Sequence, residues 1–239
     1  MTMPANSPRV GVISFPGSNG DHDALNALQM DVGLHTRMID YRETDLSEFD
    51  AIILPGGFSY GDALRCGAIA RFSPVMEPLR AFVDAGKPVL GICNGFQILC
   101  EAHLLPGALL RNATLRFHCH WTHIRIETSG TAWTANLSAG DVLRLPVAHG
   151  EGAYFASDEL VEQLEVNGQI VARYCDAAGN VSEDANANGS VASIAAVAND
   201  RGNVVGLMPH PERATNDLIG GADGLRLLRG LLSMAEARA

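Results

Sequence analysis

Apolar and polar positions along the first half of the chain predict strands and helices in alternation. Short apolar runs rich in Val and Ile are separated by longer segments in which apolar residues recur every three or four positions. This alternation is typical of a parallel sheet covered by helices. The predicted strands are residues 9–15, 33–39, 51–54 and 89–92, and the predicted helices are residues 21–31 and 74–85.

The second half of the chain has a different character. Short apolar runs joined by turn-rich segments predict strands that pair in an antiparallel or mixed manner. These strands are residues 123–127, 142–145, 171–174, 194–198 and 204–208, with a polar loop at residues 176–190 and a final helix from Asp223, its N-cap, to about residue 235. Because no linker or internal repeat interrupts the pattern, we expect one domain at residues 9–239, preceded by a flexible tail at residues 1–8.

Composition and charge exclude several classes of function. The chain is 47% hydrophobic with a formal net charge of −10, which is typical of an acidic globular protein. Because the acidic residues are dispersed and no basic run is present, neither nucleic acid nor a membrane surface is an expected partner. The five cysteines are odd in number and scattered, and the first residues lack the features of a signal peptide. We therefore expect a reducing, cytoplasmic location.

A cysteine follows the fourth predicted strand. The sequence GICNG at residues 91–95 places Cys93 between two glycines, at a strand end and at the start of a helix-like pattern. This is the form of a nucleophile elbow, a sharp strand-to-helix turn that holds a reactive atom in a strained backbone conformation. Glycines are required on both sides because a Cβ there would collide with neighbouring backbone. Cys93 is therefore a candidate nucleophile, and the alternative is a buried cysteine that acts as a small hydrophobic residue.

An elbow cysteine requires a base, and His210 is the best candidate among the eight histidines. It follows the apolar run at residues 204–208, and a proline on each side restricts the backbone. In an extended segment, residues two apart project to the same side, so Glu212 is expected to orient the His210 ring. The resulting imidazolium would favour the thiolate form of Cys93. The alternative for a lone histidine is a loop residue without a chemical role.

Acyl transfer also requires hydrogen-bond donors for the oxyanion that forms on the attacked carbonyl. The segment LPGGFSYGD, residues 54–62, supplies a glycine-rich turn at the end of the third predicted strand. A freely oriented amide at Gly57, together with the amide of Asn94 at the start of the elbow helix, would form a two-donor oxyanion hole. The alternative is a plain glycine turn after a strand.

Together these segments resemble a known family. LPGGFSYGD, GICNGFQIL and MPHPER are similar to the class I glutamine amidotransferases. Further matches resemble, within that class, the glutaminase subunits of phosphoribosylformylglycinamidine synthase: FPGSN, LRCGAIARF, LLPGALLRN, PVAHGEG and NGS followed by GNVVGLMPHPER. The resemblance implies a flavodoxin-like α/β fold, with a mostly parallel central sheet flanked by helices and an additional small antiparallel portion. It places the active site at the carboxyl ends of the strands.

The resemblance also implies a site and a reaction. The implied residues are Cys93, His210 and Glu212 as a catalytic triad, the amides of Gly57 and Asn94 as the oxyanion hole, and Gln97 and His149 as substrate-binding residues. Gln97 lies four residues after Cys93, on the same helix face, and the alternative for it is a packing or capping amide. For His149 the alternative is an exposed turn position. The implied chemistry is hydrolysis of glutamine to glutamate and ammonia.

The implied partners are a large synthetase subunit and a small third subunit of the same complex. The synthetase would use ATP and Mg²⁺, with the ammonia from this chain, to convert formylglycinamide ribonucleotide into its amidine in purine biosynthesis. The chain has no GxxxxGK[ST] phosphate-binding motif, so we expect it to bind no cofactor itself. Three alternatives stay open: a glutaminase that serves a different synthetase, a hydrolase or peptidase of related fold, and a non-enzymatic regulatory or binding module.

Two positions depart from the family pattern. Family members commonly have cysteine where this chain has Gly20, and arginine where it has His120. The first change leaves the expected triad untouched, and the second would weaken a contact to the synthetase or to an anionic ligand, or make it pH-dependent. Metal-ligating side chains occur in HCHWTH, residues 118–123. In an extended strand at most two of them converge on one side, so we expect no metal site.

Overall fold

The computed structural model describes residues 7–62 and 65–237. Its strands are β1 (Arg9–Ser14), β2 (His35–Asp40), β3 (Ala51–Leu54), β4 (Val89–Ile92), β5 (Ala108–Leu110), β6 (His118–Ile126), β7 (Val142–His149), β8 (Ala153–Phe155), β9 (Ile170–Cys175), β10 (Ile194–Ala198) and β11 (Val204–Leu207). Its α-helices are α1 (Gly20–Asn26), α2 (Cys66–Ala70), α3 (Met76–Asp84), α4 (Asn94–Glu101), α5 (Asp158–Val166), α6 (Asp223–Leu228) and α7 (Gly230–Ala237). Apart from residues 7 and 8, the tail expected at residues 1–8 lies outside the described residues.

The main sheet is mixed and has the strand order β2-β1-β3-β4-β11-β10-β9-β6-β7. Neighbouring strands are parallel from β2 to β11 and antiparallel from β11 to β7. Strands β5 and β8 form a separate antiparallel pair. The predicted α/β fold, with a parallel sheet, flanking helices and an antiparallel portion, is therefore confirmed. Most of the antiparallel portion extends the same sheet.

The central parallel strands β3 and β4 are buried because helices pack against them. Every residue of β3 and β4 is buried, and α4 contacts β3, β4 and β11. A strand covered on both faces reads as a continuous apolar run in the sequence. The sequence pattern therefore predicted both strands with the bounds that the structure shows.

Other elements differ from the predicted pattern. Helix α1 continues as a wider π-helical segment, Ala27–Val32, which ends at Gly33 in a left-handed conformation, so β2 begins at His35 and not at residue 33. Helix α5 was not predicted, although Ser157 accepts a hydrogen bond from the Leu160 amide as a helix N-cap does. Strand β6 begins at His118, before the residue 123 that the sequence pattern predicted.

Four parallel strands, β1, β3, β4 and β11, end at one edge of the sheet. The segments that follow them are PGSNG at residues 16–20, PGGF at residues 55–58, CNG at residues 93–95 and MPHPER at residues 208–213. The carboxyl edge of an open α/β sheet is where ligands bind in such folds. Within the described part of the chain, no helix has the length and apolar character that crossing a membrane requires.

Candidate active site

Cys93 lies in the sharp turn between β4 and α4. Its backbone has φ of 50° and ψ of −103°, a conformation that costs free energy for any residue with a side chain. The flanking glycines make the turn possible, since a Cβ on Gly95 would lie 1.9 Å from the carbonyl oxygen of Leu54 and one on Gly91 would lie 2.7 Å from the backbone of Gly95. The strain and the close packing have the geometry of a nucleophile elbow.

His210 and Glu212 form a buried pair directly after β11. Nδ1 of His210 donates a hydrogen bond of 2.6 Å to Oε1 of Glu212, and the two residues are 1% and 3% exposed. His210 has an extended backbone, but Glu212 lies in a 3₁₀ turn, Pro211–Arg213, so the turn brings the carboxylate to the ring. The expected pairing is present, and it is formed by a turn where the sequence pattern indicated an extended segment.

The charge state of His210 depends on its neighbours. Burial alone would lower the pKa of His210, but the Glu212 carboxylate and the Cys93 sulfur outweigh burial and raise the pKa to about 10. Among the described residues, Nε2 of His210 has no hydrogen bond of good geometry, and it is buried. The ring is therefore held as an imidazolium near neutral pH, with one N–H available beside the cysteine.

Gly56 brings the cysteine and the histidine together. A Cβ on Gly56 would lie 2.8 Å from Cβ of Cys93 and 2.8 Å from Cε1 of His210. Real Cβ atoms do not approach other heavy atoms this closely, so only glycine fits between the two side chains. Segments from β3, β4 and β11 thus meet at one point.

The predicted oxyanion donors lie beside the cysteine. Gly57 has φ of 91° and lines the same cavity as Cys93. Asn94 is the first residue of α4, so its N–H is one of the helix-terminal amides that have no acceptor within the helix. The Asn94 side chain bonds to the protein itself: it accepts from the Ser59 amide and donates to Asp62.

A cavity of about 360 Å³ opens above Cys93. Its lining includes five of the predicted site residues, namely Gly57, Cys93, Asn94, Gln97 and His149. The rest of the lining is Asn19, Phe58, Asp62, Arg111, Leu115, Arg116, Phe117, Ala148, Gly150, Glu151 and Arg213. His210 and Glu212 are buried beside the cysteine and do not line the cavity. The volume suits a small polar molecule such as an amino acid, and charged groups of both signs surround it.

Gln97 bridges two parts of the cavity wall. Its Oε1 accepts a 2.9 Å hydrogen bond from Nδ2 of Asn94, and its Nε2 donates a 2.6 Å hydrogen bond to the carbonyl oxygen of Glu151. The amide therefore connects the elbow helix to the loop that follows β7. A packing amide was the alternative for Gln97, and these contacts give it a bracing role at the cavity.

Comparison with known proteins gives the family. A family model described as a CobB/CobQ-like glutamine amidotransferase domain matches residues 7–220. The phosphoribosylformylglycinamidine synthase subunit PurQ of Thermomicrobium roseum is 61% identical over 95% of this chain and 96% of its own. The same subunit of Acaryochloris marina is 50% identical over 96% of this chain and 98% of its own. The chain belongs to the PurQ family. The resemblance seen in the sequence motifs is confirmed.

A solved structure agrees with this PurQ assignment. The structure of PurLQS from Thermotoga maritima contains a chain with a TM-score of 0.84 and 40% identity to this one, covering 95% of this chain and 99% of that chain. Members of the PurQ family are glutamine amidotransferases, and five of the site residues predicted from the sequence line the cavity above Cys93.

His149 in this PurQ chain is buried, so the alternative of an exposed turn position is wrong. It lies at the end of β7, is 4% exposed and stacks on His118 at 6.0 Å between ring centroids. Burial lowers the pKa of His149, and the nearby His210 charge adds to this effect, to about 3. His149 is therefore a neutral imidazole on the cavity wall.

Sequence reasoning missed the residue that fixes His149. Asn112, fully buried, accepts from Nδ1 of His149 and from the Gly152 amide, both at 3.0 Å. Its Nδ2 donates to the carbonyl oxygens of Arg116 and His149 at 2.8 and 2.9 Å. Asn112 thus sets the proton of His149 on Nδ1 and holds the loop after β7. The only signal in the sequence was the family motif LLPGALLRN, which ends at this residue.

The two departures from the family pattern have different surroundings. A Cβ on Gly20 would lie 2.5 Å from the carbonyl oxygen of Gly56. Glycine at this position therefore allows the backbones of residues 20 and 56 to approach each other closely. His120 is exposed on β6, with its ring 5.5 Å from that of His118. Within the described residues, no group of three or more His, Cys, Asp or Glu side chains could hold a metal ion.

Proposed function

We propose that Cys93, His210 and Glu212 perform the glutaminase reaction of phosphoribosylformylglycinamidine synthase. The observation that carries this proposal is the strained Cys93 turn placed against a buried imidazolium that a carboxylate orients at 2.6 Å. An imidazolium beside a thiol favours the thiolate, which is the nucleophilic form. A packed structural cysteine needs neither the strain nor the charged partner.

The proposed reaction has two steps. The Cys93 thiolate attacks the side-chain amide carbon of glutamine, and the imidazolium of His210 gives its proton to the departing nitrogen, so that ammonia leaves and a thioester remains. Neutral His210 then takes a proton from water as the water oxygen attacks the thioester carbon. The C–S bond breaks, which restores the Cys93 thiolate beside the His210 imidazolium, and the product leaves as glutamate after its new carboxyl group has lost a proton to solvent. Glu212 holds the ring orientation and stabilises the imidazolium in both steps.

The amides of Gly57 and Asn94 are proposed to bind the oxyanion that forms in each step. Fixed N–H groups that point at developing negative charge lower the barrier because they need no reorganisation during the reaction. Gln97 and His149 are proposed to form the substrate side of the cavity. Gln97 holds the Glu151 carbonyl in place, and neutral His149 offers Nε2 as a hydrogen-bond acceptor.

The partners follow from the family. We propose that the ammonia passes to a large synthetase subunit, that a small third subunit belongs to the complex, and that ATP and Mg²⁺ act on the synthetase. The PurLQS structure from Thermotoga maritima and the relatives that are subunits of phosphoribosylformylglycinamidine synthase support the proposed assembly. ATP use by another subunit agrees with the lack of a GxxxxGK[ST] motif in this chain. We also propose a cytoplasmic location, and one domain at residues 9–239 because a single sheet runs from β1 to β11.

The test is Cys93→Ala in the reconstituted complex. We expect glutamine-dependent turnover to be lost and turnover with added ammonia to be kept, because the variant removes only the nucleophile. Cys119→Ser, which changes an exposed cysteine, is the matched control and should keep both activities. In the wild-type protein, a glutamine-like electrophile should label Cys93 and excess glutamine should protect it. Glutamine-dependent turnover by Cys93→Ala at the wild-type rate would refute the proposal.

A further inference from the structure

The turn at residues 16–20, PGSNG, follows β1 and lies against Gly56 and Gly57, and the amide of Gly57 is one of the two proposed oxyanion donors. The Gly20 amide donates a 3.1 Å hydrogen bond to the carbonyl oxygen of Gly56. Oγ of Ser18 donates to the same oxygen at 3.3 Å. The Asn19 amide donates to the carbonyl oxygen of Gly57 at 2.9 Å. Two consecutive carbonyl groups are therefore held by one turn, although the mechanism gives that turn no role.

Nothing within the Gly56-Gly57 peptide fixes its orientation. Neither residue has a side chain, and Gly57 already has φ of 91°, where glycine moves freely between conformations. A rotation of this peptide would exchange the directions of its C=O and N–H groups. The orientation must therefore come from bonds made by neighbouring segments, and the 16–20 turn makes two such bonds to the Gly56 oxygen, from the Gly20 amide and from Ser18. Its third bond, from the Asn19 amide, holds the carbonyl of the next peptide.

Peptide planarity connects these bonds to the oxyanion hole. In a trans peptide, the C=O of Gly56 and the N–H of Gly57 point in opposite directions, and no cis peptide occurs among the described residues. Holding the Gly56 oxygen toward the turn directs the Gly57 N–H to the opposite side of the peptide, and Gly57 lines the cavity that it shares with Cys93. We propose that Ser18 is a positioning residue that, with the main chain of the 16–20 turn, keeps this donor aimed at the oxyanion. This inference rests on the proposed function.

Further contacts fix the turn itself. The Tyr60 amide donates to the carbonyl oxygen of Pro16 at 2.6 Å. Arg213, which follows Glu212, donates to Oδ1 of Asn19 at 3.4 Å and to Asp23 at 2.9 Å. The turn is thus tied to the glycine loop on one side and to the segment that carries the proposed base on the other. Its position is coupled to both halves of the catalytic arrangement.

The test compares two reactions of Cys93 in Ser18→Ala. Glutamine hydrolysis builds charge on a carbonyl oxygen, whereas alkylation by iodoacetamide occurs at a saturated carbon and builds none. Loss of one neutral hydrogen bond is worth about 1 kcal/mol, so we expect kcat for glutamine in the reconstituted complex to fall about five-fold, with little change in KM. The rate of Cys93 alkylation should stay at the wild-type value. Ser18→Thr keeps the hydroxyl and should restore kcat, and Ser47→Ala, at an exposed serine, should change nothing.

Two other outcomes for Ser18→Ala would overturn the inference, and one outcome for the wild-type complex would refute the proposed function. A wild-type kcat in Ser18→Ala would overturn the inference and leave the proposed function standing. An equal fall in glutamine turnover and alkylation would also overturn it, because the change would then act on the thiol and not on the oxyanion donor. The absence of glutamine hydrolysis in the wild-type complex would refute the proposed function instead.

Discussion

The two halves of the main sheet position their functional groups by different means. On the parallel side, Cys93 is set by backbone strain and by glycines that admit close contacts, and the turn before α1 holds Gly56 and Gly57 through amides. On the antiparallel side, the wall of the cavity is set by side-chain amides. The side chain of Asn112 holds the His149 loop with three hydrogen bonds and donates a fourth to the carbonyl oxygen of Arg116.

A second asparagine on the antiparallel side, Asn188, also holds the loop after β7 through side-chain hydrogen bonds. Nδ2 of Asn188 donates to the carbonyl oxygen of Gly152 and to the Tyr174 hydroxyl, while its Oδ1 accepts from Oγ of Ser190. The cysteine and the base thus lie where backbone segments pack too closely to admit a Cβ at Gly56, and the substrate wall is held by side-chain hydrogen bonds that can be removed one at a time. The comparison predicts that changes on the parallel side act mainly on kcat for glutamine and that changes on the antiparallel side act mainly on KM.

The largest effect is expected for the base. His210→Ala should lower glutamine-dependent turnover about 10³-fold or more, because both steps lose proton transfer. Glu212→Gln keeps a similar shape and should lose less, about 10²-fold, since the ring remains and only its orienting charge is gone. The measurement is turnover by the reconstituted complex, with ammonia-dependent turnover as the control for folding. A folded His210→Ala that hydrolyses glutamine at a near-normal rate would show that another group is the base.

The same pair predicts how stability depends on pH. The folded-state pKa of His210 is raised from the ordinary 6.5 to about 10, so the folded protein binds the proton more tightly than the unfolded chain does. This contribution to the free energy of unfolding is complete below about pH 6.5 and is lost as pH rises through about 10. We expect this pH-dependent contribution to the free energy of unfolding to be absent in His210→Ala. Chemical denaturation of the wild-type protein and of His210→Ala between these pH values measures the free energy of unfolding of each. The same pH dependence in both proteins would contradict the prediction.

The next largest loss of glutamine turnover is expected for Gly56, which lies where the segments that follow β3, β4 and β11 meet. Gly56→Ala places a Cβ within 2.8 Å of both Cys93 and His210, so one of the two must move. A misplacement of about 1 Å costs about 10²-fold in rate, and we expect kcat for glutamine to fall by that much. Gly221→Ala is the matched control, because its Cβ would make only an ordinary 3.5 Å contact with Trp121. Normal glutamine turnover by Gly56→Ala would remove the steric explanation of this glycine.

The difference between the two halves also explains what the sequence could predict. Burial on both faces makes β3 and β4 continuous apolar runs, and close backbone approach requires glycine around Cys93, so both features are visible as residue types in fixed order. The pairing of His210 with Glu212 was also predicted from neighbouring residues, although it is formed by a 3₁₀ turn and not by the extended segment that the spacing argument assumed. Burial, close backbone approach and proline restriction can therefore be inferred from the residue types of neighbouring positions.

The side-chain network could not be found in this way. Asn112 and His149 are separated by 37 positions, and the hydrogen bond between them depends on how two loops approach in space. An asparagine in a loop has the same sequence signature whether it binds a buried ring or water. Helix α5 is a different case, because its Ser157 cap and the spacing of Leu160, Val161 and Leu164 were available signals that the strand-rich surroundings obscured.

A smaller effect than that of Gly56→Ala is expected for Asn112, and it tests the antiparallel side. Asn112→Ala removes the acceptor of the His149 ring and of the Gly152 amide, together with the donor to two carbonyl oxygens. Since the cavity wall loosens while Cys93 and His210 stay in place, KM for glutamine should rise about ten-fold with a smaller change in kcat. Asn167→Ala, at an exposed asparagine, is the matched control.

Asn112→Asp separates the two functions of this amide. It keeps an oxygen acceptor for His149 and Gly152 but brings a negative charge to Nδ1, which should raise the pKa of His149 from the low value that burial gives it. Titration of the histidine signals by NMR measures this shift directly. If the wall is only a packing surface, KM will be unchanged in both Asn112 variants. A fall in kcat as large as that of Gly56→Ala would show that the antiparallel side also positions the reacting groups, and the contrast between the two halves would not hold.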